Sequence, residues 1–195
     1  MKKGKFIVIY GINNLGKSTQ ARLLVKAIKK SGKKAEYVKY PIYASEPSGK
    51  LINEYLRKGN PHKFTPREFQ LIHFIDRIRY EAVLKSKLEK GINIIAEDYF
   101  GTTMAWGMAT GVDEKLLEYL YKFVLKEDLA LLFIGKRFKK AQEKRHKHEG
   151  DEKLTEKAQK THLKIGEKYG WQKINANLPI DEIYAIIWEK VKKII

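Results

Sequence analysis

Cysteine is absent from the 195 residues, which removes disulfides, thiolate metal sites and thiol nucleophiles from consideration. Long apolar runs are missing as well. No stretch approaches the roughly 20 residues that a bilayer-spanning helix needs. The opening MKKGKFIVIY has the basic start of a signal peptide, but its apolar run is short and leads into a Gly-Lys-Ser loop without a cleavage site. A cytoplasmic enzyme is the expectation. There is no internal repeat and no linker rich in proline, glycine or serine, so the chain reads as one domain, 1–195, long enough to bury one substantial core.

Acidic residues are the minority, 23 against 40 Lys and Arg, for a formal net charge of +17. Such an excess suits nucleic acid, an anionic membrane surface or small phosphorylated substrates. Most lysines are scattered over expected helix exteriors, as in KAIKKSGKK and EKVKKII, and no nucleic-acid-binding module accompanies them. Nucleic acid is therefore not the expected partner.

Short apolar runs alternate with longer helical patterns, the signature of an α/β fold with a parallel sheet. Five runs read as strands: Phe6 to Tyr10, Ala35 to Tyr40, Ile92 to Ala96, Leu129 to Ile134 and Trp171 to Asn175. Helices fill the intervals. The helix from Thr65 to about Lys90 starts with a capping box, Thr65 and Glu68, and has Pro66 at its first position, where a missing N–H costs nothing. Leu71, Phe74, Ile75 and Ile78 share one side of it, which suits contact with both the core and a second subunit. The one strongly biased tract, Gly135 to Lys153, reads as a helix followed by a mobile cationic loop.

Gly11, Gly16, Lys17 and Ser18 meet the pattern Gly-x-x-x-x-Gly-Lys-Ser, directly after a β-branched strand and directly before a helix. Backbone N–H groups from Asn13, Asn14, Leu15, Gly16, Lys17, Ser18 and Thr19 then converge on a nucleotide's β-phosphate at the positive end of a helix dipole. Lys17 is expected to reach the β- and γ-phosphates and Ser18 to ligate Mg²⁺. Switches, motors and small-molecule kinases all use this cradle.

The rest of the chain resembles the thymidylate kinase family of nucleoside monophosphate kinases. GKSTQARLLVKAI is similar to the family's cradle and first helix, and YPIYASEPSGKLINEYL to its Phe-Pro-x-Arg segment and following helix. LIHFIDRIRYE looks like the long helix with a substrate-binding arginine, here Arg77. NIIAEDYFGTTMAWG stands at the place of the Asp-Arg-Tyr strand end, AQEKRHKHEGDEK at that of the basic lid, and INANLPIDEIYAIIWEKV at that of the adenine-flanking loop and terminal helix. The resemblance implies a P-loop fold with a five-stranded parallel sheet, ATP with Mg²⁺, dTMP as acceptor, and a homodimer through the 65–90 helix. It implies that Arg145 packs against adenine and that the lid, about 136–153, supplies a cation to the transferring group. Lys144, Arg145, Lys147 and Lys153 are the candidates, and Arg145 and Lys147 are carried forward as catalytic.

The departures fall on the acceptor side. Tyr43 stands where the Phe-Pro-x-Arg segment has its arginine, with Pro41 kept, and Asp98 stands where Asp-Arg-Tyr has its own; both arginines face the acceptor phosphate in the family. Glu97 takes the place of that motif's aspartate and keeps a carboxylate near Mg²⁺. Asn13 replaces a cradle carboxylate that touches the sugar, His73 aligns with a base-stacking phenylalanine, and Gly107 replaces a glutamine while Trp106 keeps the preceding aromatic. Tyr99, Thr102, Thr103 and Trp106 follow the third strand's carboxyl end, where ligands collect in open α/β sheets.

A carboxylate about 5 Å from one phosphate charge opposes binding by about 3 kcal/mol at an effective dielectric near 20. Hence Asp98 is neutralised by a cation, with Arg77 and Arg79 as the expected partners, or points away, or faces an acceptor without a phosphate. A phosphate-monoester acceptor needs cations and no base, whereas a sugar hydroxyl needs a base such as Glu97, Asp98 or Glu46. Transfer from ATP to dTMP is the leading expectation. A deoxynucleoside kinase and a nucleotide-binding paralogue with weak or no kinase activity remain open beside it.

Overall fold

The computed structural model describes residues 2–138 and 150–195. Twelve elements follow one another: β1 (Phe6–Tyr10), α1 (Lys17–Lys30), β2 (Ala35–Lys39), α2 (Ser48–Arg57), α3 (Pro66–Glu89), β3 (Asn93–Glu97), α4 (Phe100–Ala109), α5 (Glu114–Tyr121), β4 (Leu129–Ile134), α6 (Glu152–Lys168), β5 (Gln172–Asn175) and α7 (Ile180–Val191). The strands form one parallel sheet in the order β2-β3-β1-β4-β5. All five residues of β1 are buried, as expected of a central strand with helices over both faces.

The period of two along each strand sorts the core into two layers. Phe6, Val8 and Tyr10 join Ile94, Ala96 and Leu132 on one face, beneath residues of α3, α4 and α5. Ile7 and Ile9 join Ile95, Leu131 and Phe133 on the other, against α1 and α7. A smaller cluster, Ile52, Tyr55, Leu56, Phe69 and Ile72, fastens α2 onto α3.

The strand bounds expected for β1 and β4 are those observed, while the other three differ at one end or both for local reasons. β2 stops at Lys39: Tyr40 still donates its N–H to the Glu97 carbonyl, 2.9 Å, but Pro41 has none to donate. β3 starts one residue late because the Ile92 N–H is tied to the Lys87 carbonyl at the end of α3, and it runs on to Glu97, which pairs with Lys39. Trp171 is drawn out of β5: its N–H goes to the Gly166 carbonyl of α6 and its indole stacks on Tyr10 at 3.9 Å.

The capping box of α3 is formed in both directions. Thr65 Oγ1 accepts from the Glu68 N–H at 3.3 Å, and a Glu68 carboxylate oxygen accepts from the Thr65 N–H at 2.8 Å. The four apolar side chains placed on one side of this helix divide: Leu71 and Phe74 pack against the core, whereas Ile75 and Ile78 are exposed.

Candidate functional site

At the end of β1 the chain turns through three residues with positive φ: Gly11 at 134°, Asn14 at 64° and Gly16 at 77°. Glycine is required at 11 for a second reason, since a Cβ there would lie 2.7 Å from the Phe133 carbonyl oxygen. Asn14 is the side-chain type that tolerates the left-handed region best. Gly16 caps α1 without a side chain to bond the helix's first amides, and the first turn carries no acidic residue. Those amides therefore form an anion-binding end.

The Lys17 ammonium is buried at the centre of this loop. It donates to the Gly11 carbonyl at 2.9 Å and the Ile12 carbonyl at 2.7 Å, and lies 3.4 Å from Asp98 Oδ1. The cation that neutralises Asp98 is thus Lys17, not Arg77 or Arg79. Arg77 Nη2 donates to the backbone carbonyl of Asp98, 3.0 Å, and Arg79 is exposed on the outside of α3. The cause is local: Asp98 has φ 62°, a turn that sends its carboxylate back toward the loop.

Glu97, the last residue of β3, gathers four groups. Ser18 Oγ donates to its Oε2 at 2.6 Å, Tyr37 Oη to the same oxygen at 2.5 Å, and Lys39 Nζ to Oε1 at 3.0 Å, while Lys17 acts through its charge. Burial works to raise the Glu97 pKa, but the two ammonium groups and the two hydroxyl donors outweigh it and hold the carboxyl below the usual range. For Asp98 the balance is reversed. Burial and the neighbouring Glu97 charge raise its pKa more than Lys17 lowers it. Two adjacent carboxylates are thereby pushed apart, with Glu97 the more firmly ionised. Its carboxylate beside the Ser18 hydroxyl is a hard-oxygen pair of the kind that holds Mg²⁺, an ion that takes one or two protein ligands and fills its other positions with water and phosphate.

Beyond Asp98 lies a wall of aromatic and basic groups. Arg77 is 1% exposed; its Nη1 bonds His73 Nδ1 at 2.7 Å and Asp76 Oδ2 at 3.3 Å, and its guanidinium lies 5.2 Å from the Tyr40 ring centroid. His73 also meets Phe69 edge-on at 4.5 Å. Thr102 donates to Asp98 Oδ1 at 3.3 Å. Trp106 is mostly buried and serves the core as well as the wall.

One cavity of about 530 Å³ joins the two regions. Asn13 to Thr19 line it, as do Pro41, Tyr43, His73, Arg77, Glu97, Asp98, Thr102, Thr103 and Trp106. Ala176, Leu178 and Ile183 give it an apolar end on the α7 side, and Gln20 fixes that end by donating to the Ile180 carbonyl at 2.8 Å. Two expected site residues fall elsewhere. Tyr99 is fully buried in the core, with its ring packed against Phe6 and Tyr40 at about 5 Å, because the left-handed turn at Asp98 breaks the strand's alternation and puts residue 99 on the face of Ile94 and Ala96. Glu46 is exposed and does not line the cavity. Lys144, Arg145 and Lys147 lie outside the described residues; Lys153 is exposed near the start of α6.

Several residues on or behind the cavity wall went unnoticed in the sequence. Tyr37 and Lys39 sit two apart on β2, hence on one face, and Lys39 is in register with Glu97 at the strands' carboxyl end. That position was the available signal. Gln70 is buried, and its Cγ is 3.1 Å from where a Cβ on Gly107 would be, so an amide carried by α3 fills the space beside the glycine of α4. Arg57, at the end of α2, also lines the cavity and rests on Tyr43.

Comparison with known proteins agrees with this arrangement. The thymidylate kinase family model matches residues 9–187. A probable thymidylate kinase of Thermococcus onnurineus is 30% identical over 192 residues, covering 92% of this chain and 93% of that protein. The thymidylate kinase of Homo sapiens is 31% identical over 113 residues, covering 58% of this chain and 50% of that one. Among solved structures, thymidylate kinase from Candida albicans superposes with a TM-score of 0.80 over 98% of this chain and 92% of that one, at 22% identity, a likeness that speaks for the fold. The fold, the cradle at the tip of its central strand and the family match over nearly the whole length place this chain in the thymidylate kinase family.

Proposed function

We propose that the protein transfers the γ-phosphoryl group of ATP to dTMP, giving dTDP and ADP. The observation that carries this reading is the single cavity in which the Gly11–Ser18 cradle and the acceptor wall face each other. An oxygen of the dTMP phosphate attacks the γ-phosphorus, the bond from that phosphorus to the β-phosphate's bridging oxygen breaks, and ADP leaves. No protein base is needed, because a phosphate monoester with its second pKa near 6 is already ionised at neutral pH. The work left to the protein is positioning and charge.

In this reading the amides of Asn13 to Thr19 hold the triphosphate, and Lys17 exchanges its loop carbonyls for phosphate oxygens. Ser18 and Glu97 would hold Mg²⁺, which would supply positive charge to offset that of the phosphates; Tyr37 and Lys39 keep the Glu97 carboxylate in place for it. The apolar end at Ala176 and Leu178 takes the adenine. Asn13 meets the acceptor sugar, and His73, Phe69 and Trp106 enclose its base. The chain acts as one kinase domain, as a homodimer through the exposed side of α3, in the cytoplasm. Among the described residues no helix is long and apolar enough to cross a membrane.

A second reading, a deoxynucleoside kinase, draws on the buried Asp98 carboxylate, whose raised pKa suits a general base toward a sugar hydroxyl. An assay that couples ADP release to a dye, run in parallel with dTMP, other deoxynucleoside monophosphates and thymidine, separates the readings. Turnover with dTMP and little with thymidine is expected. Turnover with thymidine alone would transfer the assignment to the second reading, and ATP binding with no stimulation by any acceptor would leave only a nucleotide-binding paralogue.

A further inference from the structure

An acceptor phosphate carries a charge between about −1.5 and −2 at neutral pH and must approach a wall that already holds two carboxylates, Glu97 and Asp98. The strongest hydrogen bonds to such a group come from donors that are themselves charged. Lys17 is 3% exposed and tied to its loop, and the triphosphate claims it in the reading above. Arg77 is 1% exposed, with its Nη atoms on His73, Asp76 and the Asp98 carbonyl.

Lys39 presents its charge differently. It is the last residue of β2, in register with Glu97 at the carboxyl end of the sheet, and it lines the cavity. Its side chain is 51% exposed and that of Glu97 4%, so an entering group meets the ammonium before the carboxylate. An ammonium has three N–H donors on a flexible four-carbon stem. Among the described residues one acceptor is in place for them, Glu97 Oε1 at 3.0 Å. Two donors are left for a ligand. Burial works to lower the Lys39 pKa, but the charges of Asp98 and Glu97, with the hydrogen bond to Glu97, outweigh it and hold the ammonium above the ordinary lysine value. It therefore stays protonated at neutral pH, and its charge opposes that of Asp98 on the same part of the wall.

We propose that Lys39 bridges Glu97 and the acceptor's phosphate, donating to both at once, and so makes the site favour a nucleotide over a nucleoside. Tyr43 and Asp98 bring no positive charge to this wall; the end of β2 brings it. The idea rests on the nucleotide-acceptor reading above, in which Lys39 does no more than hold Glu97.

Calorimetric titration of dTMP, thymidine and ATP with Mg²⁺ into the wild-type protein and Lys39→Gln tests it. The glutamine amide still donates toward Glu97 but carries no charge. The variant is expected to lose about tenfold or more in dTMP affinity, while thymidine and ATP affinities move by less than about twofold. Lys39→Arg keeps a charged donor at the end of β2 and should hold dTMP affinity within about threefold of the wild type. It carries the test if the glutamine variant fails to bind ATP, and a lost preference for dTMP in the arginine variant, with ATP bound normally, overturns the bridge. A loss confined to ATP would reduce Lys39 to a prop for Glu97, and equal losses for dTMP and thymidine would reduce it to a packing residue; either result overturns the inference. An unchanged KM for dTMP in ADP release by Lys39→Gln also overturns it and spares the kinase reading. A Lys39-dependent preference for dTMP over thymidine without any ADP release does the reverse.

Discussion

Asp98 determines how the reactive end of the cavity is charged. Its carboxylate is 3.4 Å from the Lys17 ammonium, in a buried setting where a like charge is poorly screened. Asp98→Arg is therefore expected to weaken ATP binding on the order of tenfold or more, because the new guanidinium would face the lysine proposed to bind the triphosphate. Titration with ATP and with dTMP checks this, and tighter dTMP binding with ATP unaffected would show that the residue is only an eroded phosphate clamp. The sequence made it clear that residue 98 was anomalous, since an acid stands where a phosphate acceptor asks for a cation. It did not reveal the partner. That depends on a φ of 62°, which aspartate tolerates but does not announce. Tyr99 was misplaced for the same reason: the turn at Asp98 breaks the alternation of the strand end and sends the next residue into the core beside Ile94 and Ala96.

The helix α3 was largely legible because its start is written in side-chain chemistry. Removing the hydroxyl with Thr65→Ala breaks one half of the capping box, so a loss of about 1 kcal/mol is expected, seen as a melting temperature lower by about 2–4 °C. A fall within error would mean that the Glu68 carboxylate alone holds the turn. The outward side was harder to read. Ile75 is 47% exposed and Ile78 39%, with Val83 also exposed, whereas Leu71 and Phe74 turn to the core. A helical repeat places such residues near one another, and only packing decides where the core stops. Replacing both isoleucines with aspartate should shift the proposed homodimer to monomer in sedimentation at micromolar concentration. A single species of dimer mass in the double variant would mean that the subunits meet elsewhere.

Across the whole molecule, acid should test a residue remote from the acceptor. His162 of α6 is 1% exposed, and a ring nitrogen bonds the Ala158 carbonyl at 2.7 Å. Burial first, and then the Lys17 charge, push its pKa from the ordinary 6.5 down to about 4, against the opposing pull of that carbonyl. Above pH 6.5 the ring is neutral in folded and unfolded chains alike, so its share of stability is fully present. Below it the unfolded chain takes up a proton that the folded chain refuses, and stability falls as the pH approaches 4, by on the order of 3 kcal/mol. Asp76, Asp98 and Glu127, whose buried carboxyls have raised pKa values, act in the opposite sense, so the readout is a difference between proteins. His162→Gln should lose less stability than the wild type between pH 7 and pH 4.5 in urea denaturation; parallel curves would dispose of the argument.

The same scale shows what sequence patterns leave open. Five strands and their parallel sense could be read from alternating apolar runs and helices, but the order β2-β3-β1-β4-β5 rests on pairings between residues far apart in the chain. β1 comes early in sequence and lies in the middle of the sheet. Its ladders are completed by residues 93–97 and 129–134, so the glycine turn at its tip acquires its rigid footing only when distant segments arrive. A nascent chain halted before Leu129 would already contain every residue from Gly11 to Ser18, yet one flank of β1 would be bare and Gly11 would lack the Phe133 backbone that confines it. Nucleotide capture in this protein is consequently a late event in its own synthesis, however early its motif is translated.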